Sequence, residues 1–562
     1  MLRFKTHLAI SVIWLFILMP FTSFSQHWIK DSTGKFFTGC IYQNCPEFST
    51  FTTCLYAYKD TLFISGAFQR IGQTIMSCMG KYFNGKLDSL RGGIYGDANA
   101  MVYTRGSLYV GGSFEYACNY THPLPWIEER VPYTTSLARW DGNRWHWVDT
   151  ANTCHLICIN DMLYHNNHFY FAGFSPSSFV YYNTSVVRWD GPGQFVYIGK
   201  IPQITDDLEV YRDKLYAICY FGLVEYNGDT TWNKNPLNNY FPIGTHLYVD
   251  TINNFLYVAG TKLVGNPPIP SYGIAMWDGF RWHSMGNSLM AANSMKVYRG
   301  HLYIATDTIL WDGTRTNYIC YWDWDTKRYY PLGSGLNQWP VTFEVFKDTL
   351  WVGGYFSTAG GDSAIGLARW YAPPDTVCRF LQPLVQTLND RDTFYLVNGQ
   401  AQVQFYTNNR YAESWLWDFG DGNDSQLKDP LHTYNDTGTY TVNVSVTHKM
   451  IDDTTRTCTK TATRIIYIRR PVGVESIDIS KINFTVYPNP TNGDFIAECV
   501  LPENKTGIIR VYDTQGGLMQ EFLAYQGCNH IEVPASSWVS QMYYCVLYIN
   551  NVQIIVEKVV KD

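Results

Sequence analysis

The chain has 562 residues and a formal net charge of −6, with 46% hydrophobic, 17% aromatic and only 16% charged residues. At about 150 residues per domain this length predicts three or four domains, and the lack of any Lys/Arg-rich run removes the electrostatic footprint of a nucleic-acid binder. Abundant Tyr, Trp, Gly, Thr and Val, without long Ala/Leu/Glu/Lys stretches, favours strands over helices.

At the N-terminus, Arg3, Lys5 and His7 precede the apolar run LAISVIWLFILMPF, and SFSQ follows. The pattern predicts a secretory signal peptide over residues 1–25, cleaved after Ser25. The run is shorter than the ~20 residues of a spanning helix and ends at Pro20. Export permits disulfides among the fourteen cysteines, none of which forms a CxxC pair suited to zinc. Cys378 with Cys458, and two among Cys499, Cys528 and Cys545, are the expected bridges.

From residue 60 onward one phrase returns seven times: DTLFISGAF, GSLYVGGSF, HFYFAGFS, DKLYAICYF, NFLYVAGTK, GHLYIATDT and DTLWVGGYF. Its leading apolar residues, Leu62, Leu108, Phe169, Leu215, Leu256, Leu302 and Leu350, lie roughly 40 to 60 residues apart, a period that signals a β-propeller. Each phrase follows another alternating run across a short turn and makes a hairpin with it. His165 and His168 fall in one such turn and read as solvated side chains.

A third strand ends in Tyr82, Trp140, Trp189, Tyr226, Trp277 or Trp370, large rings suited to packing between neighbouring sheets. Asp or Asn and then Gly follow, at 141–142, 190–191, 278–279, 312–313, 84–85 and 227–228. Asn replaces Asp freely at these places, so the pair reads as a hairpin turn with positive φ and not as a catalytic carboxylate. The seventh copy stops at LARWYAPP without a fourth strand, and QHWIKDSTG after Gln26 is expected to supply it and close the ring, which removes an exposed edge. Residues 26–372 thus form an expected seven-bladed β-propeller. They resemble the secreted kelch-like propellers of Bacteroidetes, a likeness that implies architecture and no single activity.

Length variation falls mostly between the second and third strands, and these loops should emerge on one face. That face is the candidate recognition surface for an extracellular glycan or protein ligand, with Trp126, Glu128, Glu129 and Arg130 in the longest loop and Tyr181, Tyr182 and Tyr272 in others.

The stretch RYAESWLWDFGDGNDSQLKDPLHTYNDTGTYTVNVSVTH resembles a PKD domain, an immunoglobulin-like β-sandwich, placed at 375–470. Trp415 and Trp417 should alternate into its core, and the Tyr434 hydroxyl should bond to backbone. Asp418, Asp421 and Asp424 read as turn-capping residues, with calcium as the alternative.

A linker over 471–484 precedes FTVYPNPTNGDF, IRVYDTQGGL and a strand-rich end with Lys558 and Lys561. These features resemble the type A C-terminal sorting domain of the type IX secretion system, a small β-sandwich over 485–562, with Tyr487, Pro488, Asn489, Pro490 and Gly493 as its motif. Met542 stands where that family usually has Gly. The resemblance implies recognition by an outer-membrane translocon and a sortase-like protease, and release of the cargo or its attachment to surface lipopolysaccharide.

No Gly-x-Ser-x-Gly elbow, His-Glu-x-x-His, Walker loop, dinucleotide fingerprint or sialidase box is present, so no catalytic residue, metal or cofactor is expected. The sequence therefore reads as an exported all-β recognition or adhesion protein. An extracellular hydrolase would require acids converging with shifted pKa values, and a surface-layer component is the third option.

Overall fold

The computed structural model describes residues 26–29, 37–38, 50–68, 70–71, 74–75, 78–119, 130–131, 136–148, 158–174, 184–192, 194–201, 205–219, 222–228, 231–233, 241–264, 273–286, 289, 291–450, 454–471, 482–503, 505–549 and 552–562. The expected signal peptide lies outside the described residues, as does most of the linker. Regular structure among the described residues is almost wholly β-strand, and no helix there is long and apolar enough to cross a membrane.

Up to Tyr371 the chain builds seven antiparallel sheets of four main strands, completed one after another. The first holds Phe51–Tyr58, Thr61–Ala67, Met79–Phe83 and Lys86–Ser89. In every sheet the second strand is the recurring apolar phrase, and all seven of its leading residues are buried. Opposite them stand the rings of the third strands: Leu62 faces Tyr82, Leu108 faces Trp140, Phe169 faces Trp189, Leu256 faces Trp277, Leu302 faces Trp322 and Leu350 faces Trp370.

The first strands of the sheets touch in chain order, and the last of them, Pro340–Phe346, returns to Phe51–Tyr58. The seventh sheet takes its fourth strand from the other end of the described chain, where His27 and Trp28 pair with Tyr371 and Trp370. The Trp28 indole donates to the Leu332 carbonyl at 3.0 Å and meets the Trp370 ring edge-on.

The repeated Asp–Gly pairs are turns, but the Asp acts through its side chain. Asp141 Oδ1 accepts the N–H groups of Asn143 and Arg144, both at 2.8 Å, while Gly142 alone takes a positive φ of 101°. Asp278 caps Phe280 and Arg281 in the same way. Only at Asn84–Gly85 do both residues of the pair turn left-handed, at φ 48° and 77°.

Asp312–Gly313 is a correction. The pair lies in the connection between the second and third strands of the sixth sheet, whose third strand is Ile319–Asp323 and whose ring is Trp322. Trp-Asp-Gly encodes a local turn and not a position in the sheet, so the copy at 311–313 imitates the others. His168 Nδ1 lies 2.7 Å from Asp190 Oδ1, so its ring has a partner as well as solvent.

Residues 385–469 form two facing sheets, one of three strands and one of five. Trp417, Phe405, Phe419, Tyr434, Val442, Val444, Val446 and Ile466 fill the space between them, and Trp415 packs at the margin. The Tyr434 hydroxyl donates to the Phe419 carbonyl at 3.0 Å. Cys378 and Cys458 are bonded, with Cα atoms 5.9 Å apart and a sequence separation of 80. Asp418 caps Gly420 N–H, and Asp421 caps Asn423 N–H and holds His432 at 2.8 Å.

Residues 483–560 make a second sandwich, of three and four strands. Cys499 and Cys545 point into its core and Cys528 lies on its outside, and all three are free thiols, which corrects the expected second bridge. Cys499 and Cys545 sit on opposed sheets, in the strands Phe495–Leu501 and Met542–Ile549. Met542 opens the strand Met542–Ile549 and pairs with Val560, so the strand begins there without a glycine.

Candidate functional site

The seven first strands share a feature that the repeat did not announce. Each slips register by one residue against its second strand at an equivalent place: Thr53, Asn99, Asn160, Asp206, Thr245, Asn293 and Val341. A bulge re-aims its side chain, and here three side chains reach the next sheet. Thr53 Oγ1 donates to Ala98 O at 2.7 Å, Asn99 Nδ2 to Ile159 O at 3.0 Å, and Asn160 Nδ2 to Thr205 O at 3.1 Å. Every acceptor is the residue just before the next bulge.

At Asp206 the relay stops, because a carboxylate has no proton to donate. Burial, together with the charge of neighbouring Asp207, pushes the Asp206 carboxyl up to about 6. Around it lie further acids. Asp161 accepts Leu208 N–H at 2.9 Å, and Asp207 accepts Leu247 N–H at 2.7 Å and pairs with His246 Nδ1 at 2.6 Å.

Asp161 and Asp207 also act on each other, and their environments drive them apart. Burial and the facing Asp207 raise Asp161 well above the usual carboxylate range. Burial works against the charge of Asp207 as well, but His246 outweighs it and holds that group low. A protonated carboxyl beside a carboxylate gives one donor and one acceptor, the pairing that general acid–base chemistry uses. The same bonds to Leu208 and Leu247 also tie the third, fourth and fifth sheets together.

Two residues along from Asp207, burial and the charge of Asp207 push Glu209 from 4.5 to about 8. A carboxyl raised on folding contributes stability that is complete below about 4.5 and is lost as pH rises through about 8. Replacing Glu209 with Gln should therefore leave stability at pH 4 unchanged and raise it at pH 9 by about 1–2 kcal/mol. Denaturant unfolding at the two pH values checks this, and equal curves at pH 9 would contradict it.

The bulges lie toward the end of the sheets from which the long connections between second and third strands leave. Exposed rings gather at that end, with Trp311 55%, Tyr355 49% and Trp339 36% exposed. Of the residues expected to form a recognition surface, Trp126, Glu128, Glu129, Tyr181, Tyr182 and Tyr272 lie outside the described residues. Arg130 opens a two-residue strand that pairs with Ala117 and Cys118 at the edge of the second sheet.

The remaining domains grip the other end. The hairpin turn of the fifth sheet is two residues longer than its equivalents, and its tip enters the 385–469 sandwich. Asn253, 2% exposed, donates from Nδ2 to Asp250 (2.7 Å) and to Phe380 O (2.8 Å), while its Oδ1 accepts from Gln382 N (2.7 Å) and Asn409 Nδ2 (3.1 Å). Asn408 Nδ2 adds a bond to Asn253 O at 2.8 Å. Leu388 and Tyr406 of the sandwich and Phe280 of the fifth sheet then pack against Tyr512, Tyr544 and Tyr548 of the C-terminal domain.

In the C-terminal domain the YPNP stretch is stapled to the last strand. Asn489 Nδ2 donates to Lys558 O at 2.6 Å and its Oδ1 accepts Val560 N–H at 2.9 Å. Thr491 O accepts Asp562 N–H, and Gly493 N–H donates to Thr491 Oγ1. Pro488 and Pro490 have no N–H to offer that edge, and the Asn489 side chain together with the Thr491 N–H, which donates to Val560 O at 2.8 Å, makes the contact. Tyr487 turns outward and donates to Glu498 at 3.0 Å.

Residues 393–466 match the model of the PKD domain, and residues 485–562 match that of the secretion system C-terminal sorting domain. No curated protein matches the sequence. Among solved structures, the extracellular domain of a hybrid two component system from B. thetaiotaomicron is 12% identical over 75% of this chain and 74% of its own, with a TM-score of 0.25. The GH43 BlXynB protein from Bacillus licheniformis is 12% identical over 84% and 90%, with a TM-score of 0.23. At scores this low neither carries an argument. The sorting domain makes this a protein of the type IX secretion route, exported to the cell surface or beyond and handled by that route's machinery and sortase-like protease.

Proposed function

We propose that the chain is a surface or secreted recognition protein in which a seven-bladed propeller binds an extracellular glycan. The PKD sandwich and the sorting domain hold its opposite end. One observation carries this reading: both C-terminal domains dock on the hairpin-turn end of the sheets, at Asn253 and Phe280, and leave the long-loop end with Trp311, Trp339 and Tyr355 facing outward. Exposed aromatic rings offer the flat apolar faces on which sugar rings stack. On sequence grounds the same role is proposed for Trp126, Tyr181, Tyr182 and Tyr272, with Glu128, Glu129 and Arg130 as polar partners.

The test is a glycan array probed with the secreted protein and with a Trp311→Ala/Tyr355→Ala variant. Binding by the parent, reduced at least about tenfold in the variant, supports the reading; equal binding by both overturns the placement of the site. A chain lacking 485–562 should remain in the periplasm, while the full chain appears outside the cell, shortened at its C-terminus; fractionation with intact-mass measurement reads this out.

A second reading rests on the acids. Asp161, Asp206 and Asp207 with His246 are the converging, shifted set that a hydrolase would use. Release of reducing ends from a bound polysaccharide, lost in Asp206→Asn and Asp161→Asn, would favour that reading over simple binding.

A further inference from the structure

The outer face of the sorting domain carries a thiol, an imidazole and a carboxylate on neighbouring strands. Glu498 in Phe495–Leu501 stands directly opposite His530 in Gly527–Val533, and Cys528 is two residues along the same strand, on the same face. Their ligand atoms all lie within 4.8 Å of one another. Cys528 Sγ is 3.7 Å from Glu498 Oε1, and His530 Nδ1 is 3.5 Å from that same oxygen. With zinc–sulfur bonds of about 2.3 Å and zinc–nitrogen or zinc–oxygen bonds of about 2.0 Å, a tetrahedral ion needs ligand atoms about 3.3–3.5 Å apart. Both edges at Glu498 Oε1 are within a few tenths of an ångström of these values, and the Cys528–His530 edge is no longer than 4.8 Å.

The atoms that face away from this point are already engaged. The Tyr487 hydroxyl donates to Glu498 Oε2 at 3.0 Å and lies 3.4 Å from His530 Nε2. Nε2–H can donate to the phenol oxygen, which fixes Nδ1 as the unprotonated nitrogen and leaves Oε1 as the free carboxylate oxygen. Outer partners of this kind orient metal ligands and set the histidine tautomer. Cys528 has no competing thiol in its own domain among the described residues, because Cys499 and Cys545 face the core.

We propose that Glu498, Cys528 and His530 form a binding site for a zinc-type divalent ion, with Tyr487 of the sorting motif as the residue that positions two of the three ligands. Thiolate, imidazole and carboxylate together suit zinc rather than calcium or magnesium, which take oxygen ligands. Three protein ligands leave a fourth position for water or for a donor from another molecule. The motif at 487–490 and the site thus share one side chain, and occupancy would stiffen the segment that begins the domain.

The test uses the full chain stripped of metal. Calorimetric titration with Zn²⁺ should give a single equivalent bound, and Co²⁺ should give a thiolate-to-cobalt charge-transfer band. Cys528→Ser should abolish the band, His530→Ala should weaken Zn²⁺ binding at least tenfold, and Tyr487→Phe should weaken it about 10–100-fold with the band retained. All three positions are on the surface, and near-UV circular dichroism checks that each variant keeps its fold. No thiolate band in the parent, or Zn²⁺ affinity unchanged in Cys528→Ser and His530→Ala, overturns the proposal.

Discussion

Replacing Asn253 with alanine should split the thermal unfolding of the chain into separate transitions and loosen the PKD sandwich from the seven sheets. The side chain makes bonds to Asp250, Phe380 O, Gln382 N and Asn409 in a place closed to water. Alanine fills none of these roles, and every partner left unpaired costs about 1–3 kcal/mol because water cannot replace the lost bond. Relaxation recovers part of this, and a net loss of about 3–5 kcal/mol is expected. Calorimetry should show the sandwich melting apart from the sheets, and limited proteolysis should cut newly between 372 and 380. A single unshifted transition would mean that the apolar seam at Tyr406 and Phe280 holds the domains unaided.

The second large effect is expected from the Cys378–Cys458 bond. It closes a loop with a sequence separation of 80, anchoring the segment that carries Phe380 and Leu381 into the sandwich core. Chain-entropy arguments assign such a loop about 4–5 kcal/mol, and native bridges removed from small domains cost about 2–5 kcal/mol. The Cys378→Ala/Cys458→Ala variant should lose about 3 kcal/mol, read from the fluorescence of buried Trp417 during denaturant unfolding. Adding reductant should bring the parent to the variant's curve and leave the variant where it is. A parent insensitive to reductant would show that the bridge contributes nothing to stability.

The parts of the fold that repeat, or that carry local turn chemistry, could be read from the residues. The apolar phrases gave the second strands because Leu62 and its equivalents must be buried, and the missing fourth strand of the last sheet pointed to His27–Trp28. The bulges escaped notice although they recur nine residues before the leading apolar residue in every sheet but the fifth, as from Thr53 to Leu62, Asn99 to Leu108 and Asn160 to Phe169. No residue type marks them, since Thr, Asn, Asp and Val all occupy the bulge, and what they share is a slip of register against the second strand. Asp206 and Asp207 were overlooked for the same reason. Asn253 could not be recognised because its partners lie more than a hundred residues away, though the two extra residues in its hairpin were there to be counted. Asp312–Gly313 was placed after a third strand because the Trp-Asp-Gly triplet describes a turn and nothing beyond it.

Clasping the seventh sheet with His27 and Trp28 also dictates an order of assembly. Its partners, Trp370 and Tyr371, are more than 340 residues downstream, so an emerging chain holds an open arc until nearly two-thirds of it has been delivered. Joining such distant segments adds little thermodynamic cost, because loop entropy grows only with the logarithm of length. The cost is in time, since contacts this remote form late. Until then His27 and Trp28 have no strand to pair with, and the apolar side chains of the first sheet that pack on Phe346, Trp351 and Leu367 stay open to water.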